Sequence, residues 1–410
     1  MTTFYNISKL YSLQGGVRRK KALQDAGVLE NTWMQVAEGM IVAVGCGKPP
    51  AVAKDRQIDL QNKIVVPGFI DAHSHLVFFG NRCAEYPKKI QGESYSAILK
   101  AGGGILNTVS ATRAASFDDL FLKARNSLKK ALSRGVCSME VKSGYGLDLA
   151  TELKQLQVIK KLDETQAIDL CSTYLGAHAK APEYQDNQSY LDFCSQQVLP
   201  LAKDYAEFCD IFIDDGAFTA AEAEDFLVRA QNLGYKIKVH IDEIKNLNGS
   251  AVAVKLQATS VEHCLETTLE QLLTLADNRI PVVLLPGTSF HLSKAPAPAK
   301  KMRDLGVVLA LGSDYNPGSC PLDDFLLILR LASRVYGLLA EEILAMATIN
   351  AAYALDRDKT IGSLEVGKQA DFVVLDAKDF NEVIARMDFD PVLQVYKKGE
   401  RVYDFSQEYQ

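Results

Sequence analysis

One rhythm constrains this chain more than any other feature. Short apolar runs, each ended by polar or glycine-rich residues, alternate with longer helical patterns. Eight runs stand out: "KIVVPGFIDAH" (63–73), "GVCSMEVKSG" (135–144), "AIDLCSTYLGAH" (167–178), "CDIFIDDG" (209–216), "YKIKVHIDE" (235–243), "ATSVEHC" (258–264), "RIPVVLLPG" (279–287) and "GVVLALGSD" (306–314). Between them lie segments such as "SFDDLFLKARNSLKKALSRG", where Ser116 is placed as an N-cap before Asp118 and Asp119. Apolar runs separated by helices imply a parallel sheet buried on both faces. Eight such units closing on themselves make a TIM-like (β/α)8 barrel. A doubly wound open sheet is the competing arrangement, but the glycine fingerprint that normally follows its first strand is missing.

The flanks differ from this rhythm. Residues 1–62 and 365–410 carry short alternating runs, "NTWMQVAEGMIVAVG" and "QADFVVLD" among them, which would pair into one small β-sheet or sandwich domain beside a barrel spanning 63–364. A chain of 410 residues exceeds the usual single core, which fits a barrel with an annex. The net charge of −6 and the lack of a basic run argue against a nucleic-acid surface, so an anionic substrate would need a local cation. No apolar run approaches the roughly 18–20 residues that span a bilayer, and the N-terminus lacks a secretion-signal pattern. Eight scattered cysteines without CxxC pairs read as reduced thiols. The expectation is a cytoplasmic protein with a small-molecule substrate, no nucleic-acid partner and no membrane.

The six histidines carry the chemistry: 73, 75, 178, 240, 263 and 291. Five of them fall at the ends of the first, third, fifth and sixth runs, and Asp314 ends the eighth. In a barrel those ends meet at one mouth, where active sites are built. A single strand-end histidine is usually structural; five converging on one mouth are poorly explained that way. His73 and His75, at i and i+2, face the same side of a strand. With His240 and Asp314 they offer three nitrogens and one carboxylate oxygen, a set suited to one zinc or divalent iron ion. Such an ion would lower the pKa of a water toward about 7, which is hydrolytic chemistry. Glu243, three residues past His240, is placed to move a proton from that water to a leaving nitrogen, unless it only opens the next helix as an N-terminal acid. His263 could polarise a carbonyl or steady the attacking oxygen. Arg82, Tyr145, His178, Asn316 and Ser319 also follow strand ends, and Arg82 is the natural partner for a substrate carboxylate, against the simpler reading of a surface salt bridge. His291 is read as structural or as a support behind the site. "AGGGI" (101–105) lacks a phosphate-loop pattern and reads as a tight turn near the mouth.

HxH after the first strand, His after the fifth and sixth and Asp after the eighth resemble the amidohydrolase superfamily. Longer strings ("PGFIDAHSHLVFFGNR", "GESYSAILKAGGGI", "EVKSGYGLD", "YLGAHA", "VHIDE", "LLPGTSF", "SDYNPGS") resemble its imidazolonepropionase family. The resemblance implies hydrolysis of 4-imidazolone-5-propanoate to N-formimino-L-glutamate in histidine breakdown. It implies a metal on His73, His75, His240 and Asp314. It puts Arg82, Tyr95, Tyr145, His178, Glu243, Asn316, Gly318 and Ser319 around the substrate, with Glu243, His263 and Asp314 as catalytic groups, and with enzyme symmetry it favours a homodimer. Two positions depart from the family pattern: "FIDDGAF" replaces a more usual Cys-Glu, and Glu262 stands where Asp is commoner. Two-metal relatives use a carboxylated lysine after the fourth strand, a run that here contains no lysine, so one ion is expected. The competing enzyme reading is a deaminase of a nucleobase-like ring on the same scaffold. A non-catalytic, metal-binding barrel is a third, disfavoured because every ligand and Glu243 are present.

Overall fold

The computed structural model describes residues 1–51, 53, 56–91 and 103–407. Four strands come first: β1 (Thr2–Tyr11), β2 (Val28–Ala37), β3 (Met40–Cys46) and β4 (Gln57–Pro67). The barrel strands follow as β5 (Phe69–Asp71), β6 (Val136–Lys142), β7 (Asp169–Ala177), β8 (Phe208–Ile213), β9 (Lys236–Ile241), β10 (Ser260–His263), β11 (Val282–Leu284) and β12 (Leu309–Leu311). The chain ends with β13 (Phe372–Leu375), β14 (Val392–Lys397) and β15 (Glu400–Asp404).

β5 to β12 pair in sequence order, every neighbour parallel. The sheet closes on itself: Ala72 N donates to Leu311 O at 3.1 Å and Asp314 N to His73 O at 2.9 Å. The expected barrel is therefore present, built from the eight runs. The intervening helices start as the sequence indicates. Ser116 and Asp119 form a reciprocal capping box on helix Phe117–Ser133, whose Leu120, Ala124, Leu128 and Ala131 are buried.

The two chain ends share one seven-stranded sheet, ordered β15-β14-β13-β4-β1-β2-β3. Its own core includes Phe4, Ile7, Met34, Phe372 and Tyr396, and the last two rings stack 4.4 Å apart. The first run, read as one barrel strand, is divided. Residues 63–67 complete β4 of the small sheet, and only Phe69–Asp71 joins the barrel. Gly68 makes the crossing, where a Cβ would lie 2.4 Å from Cys137 Sγ, so no other residue fits there without displacing the barrel wall. No helix among the described residues is long and apolar enough to cross a membrane.

Candidate metal centre and active site

The strand ends bring His73, His75, His178, His240, His263 and Asp314 together, and each of them except His178 is 3% exposed or less. Ring centroids lie 4.7 Å apart for His73 and His240, 5.2 Å for His73 and His75, and 5.4 Å for His240 and His263. His178 stacks on His75 at 5.1 Å. Asp314 Oδ1 is 3.4 Å from Nε2 of both His73 and His75. The candidate ligand atoms fall into two overlapping groups that share His73: His73, His75 and Asp314, then His73, His240 and His263.

Among the described residues, several buried nitrogens in this cluster have no hydrogen-bond partner: both nitrogens of His73, Nε2 of His240 and Nδ1 of His75, His178 and His263. Desolvated, unpartnered nitrogens are costly unless something accepts their lone pairs, and a divalent ion does so. Burial, the largest influence, pulls the pKa of His73, His75 and His178 below the ordinary histidine value and keeps their imidazoles neutral, as metal ligands must be. Burial pushes the Asp314 carboxyl upward, but the close His73 and His75 imidazoles outweigh it and hold the carboxyl well below its usual range. Thr288 Oγ1 donates to the second Asp314 oxygen. The donor set thus fits a divalent cation. Asp314 and His263 both sit in the left-handed backbone region, at φ +52° and +69°, conformations that persist where surrounding structure enforces them.

Glu243 does not open a helix, since the next one begins at Gly249. It lies in a loop, with Oε2 3.7 Å from His263 Nε2 and Oε1 3.4 Å from Lys294 Nζ. That loop is gathered by Asp214, whose carboxylate accepts Glu243 N (2.8 Å), Ile244 N (2.8 Å) and Lys245 N (2.9 Å). Asp214 belongs to the "FIDDGAF" stretch that departs from the family pattern. Glu152 performs the same service for the loop bearing Tyr145, accepting Gly144 N, Gly146 N and Leu147 N. Tyr145 itself packs with its ring 5.4 Å from His178 and 5.9 Å from His75.

The Arg82 side chain is 8% exposed and not alone. Its Nε lies 3.1 and 3.0 Å from the two Glu85 oxygens, and Nη2 is 3.0 Å from Oε2. Glu85 also accepts Gly104 N at 2.8 Å, which ties the glycine-rich turn to the arginine. Gly318 packs directly on the guanidinium, for a Cβ there would lie 2.0 Å from Arg82 Nη1. Asn316 is spent on its own turn. Nδ2 donates to Asp314 O and Ser319 Oγ, while Oδ1 accepts Gly318 N and Ser319 N. It shapes the wall presented by Gly318 and Ser319. His291 lies with its ring 6.0 Å from Tyr86. Tyr95, Ala101 and Gly102 lie outside the described residues.

Sequence reasoning missed the buried acids that build this mouth: Glu85, Glu152, Asp210 and Asp214. Asp210 had a readable signal, a charge inside the apolar run "CDIFI". The loop-gathering acids had none, because their function depends on backbone amides that the fold brings to them.

Residues 64–402 match the amidohydrolase family. The chain is 44% identical to an imidazolonepropionase of Streptococcus sanguinis over 93% of this chain and 92% of that one. It is 40% identical to an imidazolonepropionase of Alkaliphilus oremlandii over 97% of each. Among solved structures it resembles a 5-methylcytosine deaminase of Klebsiella pneumoniae, with a TM-score of 0.76 and 16% identity over 98% of both chains. An atrazine chlorohydrolase of Arthrobacter aurescens shares the fold at a TM-score of 0.70 and 17% identity, over 98% of this chain and 95% of that one.

Proposed function

The chain belongs to the amidohydrolase family and to the imidazolonepropionases within it, and from that premise we propose how its own residues open 4-imidazolone-5-propanoate to N-formimino-L-glutamate. The observation that carries the proposal is the meeting of the unpartnered histidine nitrogens, Asp314 and Glu243 at one barrel mouth. Relatives at 40–44% identity favour ring hydrolysis over the deaminase reading, which rests on fold alone.

His73, His75, His240 and Asp314 would hold one divalent ion, zinc or iron. When bound it supplies Lewis acidity to the ring carbonyl and acidifies water. The water oxygen bonds to the carbonyl carbon and the ring carbon–nitrogen bond breaks. Glu243 takes the proton from the water and delivers it to the departing nitrogen, with Asp314 as a supporting base. His263, 3.7 Å from Glu243, donates to the developing oxyanion. Arg82, held by Glu85, receives the propanoate tail through its remaining N–H groups, and Gly318 and Ser319 line that end of the pocket. Tyr145 and His178 flank the ring, and Tyr95 is assigned to the substrate from the family pattern. Lys294 Nζ, 3.4 Å from Glu243 Oε1, holds that carboxylate from the side away from His263's contact at Oε2.

Residues 1–67 and 365–410 are taken as the two parts of the small domain and 69–364 as the barrel, with the boundary moved from 62/63 to Gly68. The enzyme acts as a cytoplasmic homodimer, a reading supported by its scattered cysteines and by the prevalence of symmetric enzyme pairs. Glu243→Gln tests the mechanism. It should retain the metal and lose on the order of 10²–10⁴-fold in turnover, the usual worth of a general acid–base. Near-full turnover with metal still bound would remove Glu243 from the role.

A further inference from the structure

The interior of a barrel of this type is ordinarily filled by branched apolar side chains, yet the layer beneath the candidate metal centre is ionic. Glu140, Lys142, Asp210, Lys238 and Glu262 are all fully buried there. Lys142 Nζ lies 2.8 Å from Glu140 Oε1 and 2.8 Å from Asp210 Oδ2. Lys238 Nζ lies 3.3 Å from Glu140 Oε1 and 3.3 Å from Glu262 Oε1. Thr173 Oγ1 donates to Glu140 at 2.5 Å and Ser260 Oγ to Glu262 at 2.7 Å. Two ammoniums thus face three carboxylates, and the excess negative charge has one outlet. Asp210 Oδ2 stands 2.8 Å from His240 Nδ1, while its other oxygen accepts the backbone N–H of Ile211 and of His240 itself.

Burying five charges costs several kcal/mol per ion before pairing, and well-packed apolar residues of similar volume are often as stable or more so. Stability alone therefore gives no reason for the cluster. Geometry gives one. A carboxylate on one ring nitrogen fixes a histidine's tautomer and ring plane, and makes the other nitrogen a better ligand. Among the described residues, the other carboxylate near His240 Nδ1 is Glu262 Oε2, more distant at 3.9 Å, and Lys238 and Ser260 engage the Oε1 of that residue. Lys142 Nζ holds the same Asp210 oxygen, Oδ2, that faces His240 Nδ1. It also sets a positive charge beside the group Asp210, His240 and Glu262, whose donor atoms would otherwise suit a second cation.

We propose that Asp210, clamped by Lys142, is the positioning residue that fixes the His240 ring so that its Nε2 faces the metal. This rests on the metal reading above. The test compares wild type, Asp210→Asn and Lys142→Gln. Zinc affinity is measured by chelator competition, and the visible spectrum of the cobalt-substituted protein reports ligand geometry without any turnover. Folded Asp210→Asn should bind zinc about 10–100-fold more weakly and show an altered cobalt spectrum. At saturating zinc, kcat should fall while KM for the imidazolone stays close to wild type. Unchanged zinc affinity and cobalt spectrum in folded Asp210→Asn would overturn the proposal. If that variant does not fold, Lys142→Gln is judged by the same two readouts. If neither folds, the cluster is a folding device and the proposal also fails. A wild type that binds no zinc or iron would instead bring down the metal reading itself.

Discussion

Asp214→Ala removes the carboxylate that gathers the Glu243 loop without touching any proposed ligand or substrate contact. Asp214 is 1% exposed and accepts the backbone N–H groups of Glu243, Ile244, Lys245 and Asp215. Hydrogen bonds to a charged acceptor are worth about 1.5–3 kcal/mol each. Three such bonds to residues 243–245 could therefore total about 5–9 kcal/mol, but the amides of a loop partly open to solvent regain water, so about 2–4 kcal/mol of local stability is the expected loss. That suffices to let Glu243 drift by about 1 Å, which costs on the order of 10² in rate for a positioned group. The assay is imidazolone turnover followed by ultraviolet absorbance, with metal content measured on the same sample. Hydrogen exchange at 243–245 is read in parallel. The expected pattern is a fall in kcat, retained metal and faster exchange confined to that loop, with Asp214→Asn intermediate because its amide oxygen still accepts. A wild-type kcat together with loosened amides would refute the reasoning, since it would separate loop order from the position of Glu243.

Other predictions follow from neighbouring features. Lys123 is largely buried, its Nζ 3.2 Å from the Phe78 ring centroid and without a hydrogen-bond partner among the described residues, and burial pulls its pKa down from 10.5 to about 8. The folded chain therefore binds fewer protons than the unfolded chain between those values. Stability should rise with pH across that window, and the cost of the buried charge should be fully present below about pH 8. Lys123→Met should raise stability at pH 7 by up to about 3 kcal/mol, an advantage that fades above pH 10.5; chemical denaturation at several pH values checks this, and a variant less stable at pH 7 would contradict it. Gly318→Ala should displace the Arg82 guanidinium and, like Arg82→Lys, raise KM for the carboxylate-bearing substrate about tenfold or more with a smaller change in kcat. A lowered kcat at constant KM would move Arg82 from tail binding to chemistry.

The parts of this molecule legible in the sequence are those governed by periodicity and by rare residues. Eight apolar runs gave eight barrel strands because burial on both faces leaves little freedom in composition. The histidines were legible because they are few and end those runs, and the structure brings five of them and Asp314 to one mouth. The strand boundary at Gly68 was not legible. "KIVVPGFID" is continuously apolar, and only the approach of Cys137 shows where it leaves one sheet for the other. Arg82 could be picked out as a cation, but its bidentate hold on Glu85 depends on a turn that periodicity does not describe. Asp214 and Glu152 read as ordinary acids, since their value lies in backbone amides brought to them by loops. The charged layer of Glu140, Lys142 and Lys238 left a trace, as charges within otherwise apolar strands. Pairing them required the register of β6, β8 and β9 across the barrel.

The central claim is that one divalent ion at the mouth, held by this chain's own histidines and Asp314, makes ring hydrolysis possible. Elemental analysis of the purified protein beside the imidazolone assay tests it most directly, with chelator treatment and metal readdition on the same preparation. About one equivalent of zinc or iron per chain is expected, as a single His3Asp ligand set requires, with turnover that falls and returns with it. Full turnover in protein carrying far less than one equivalent would contradict it.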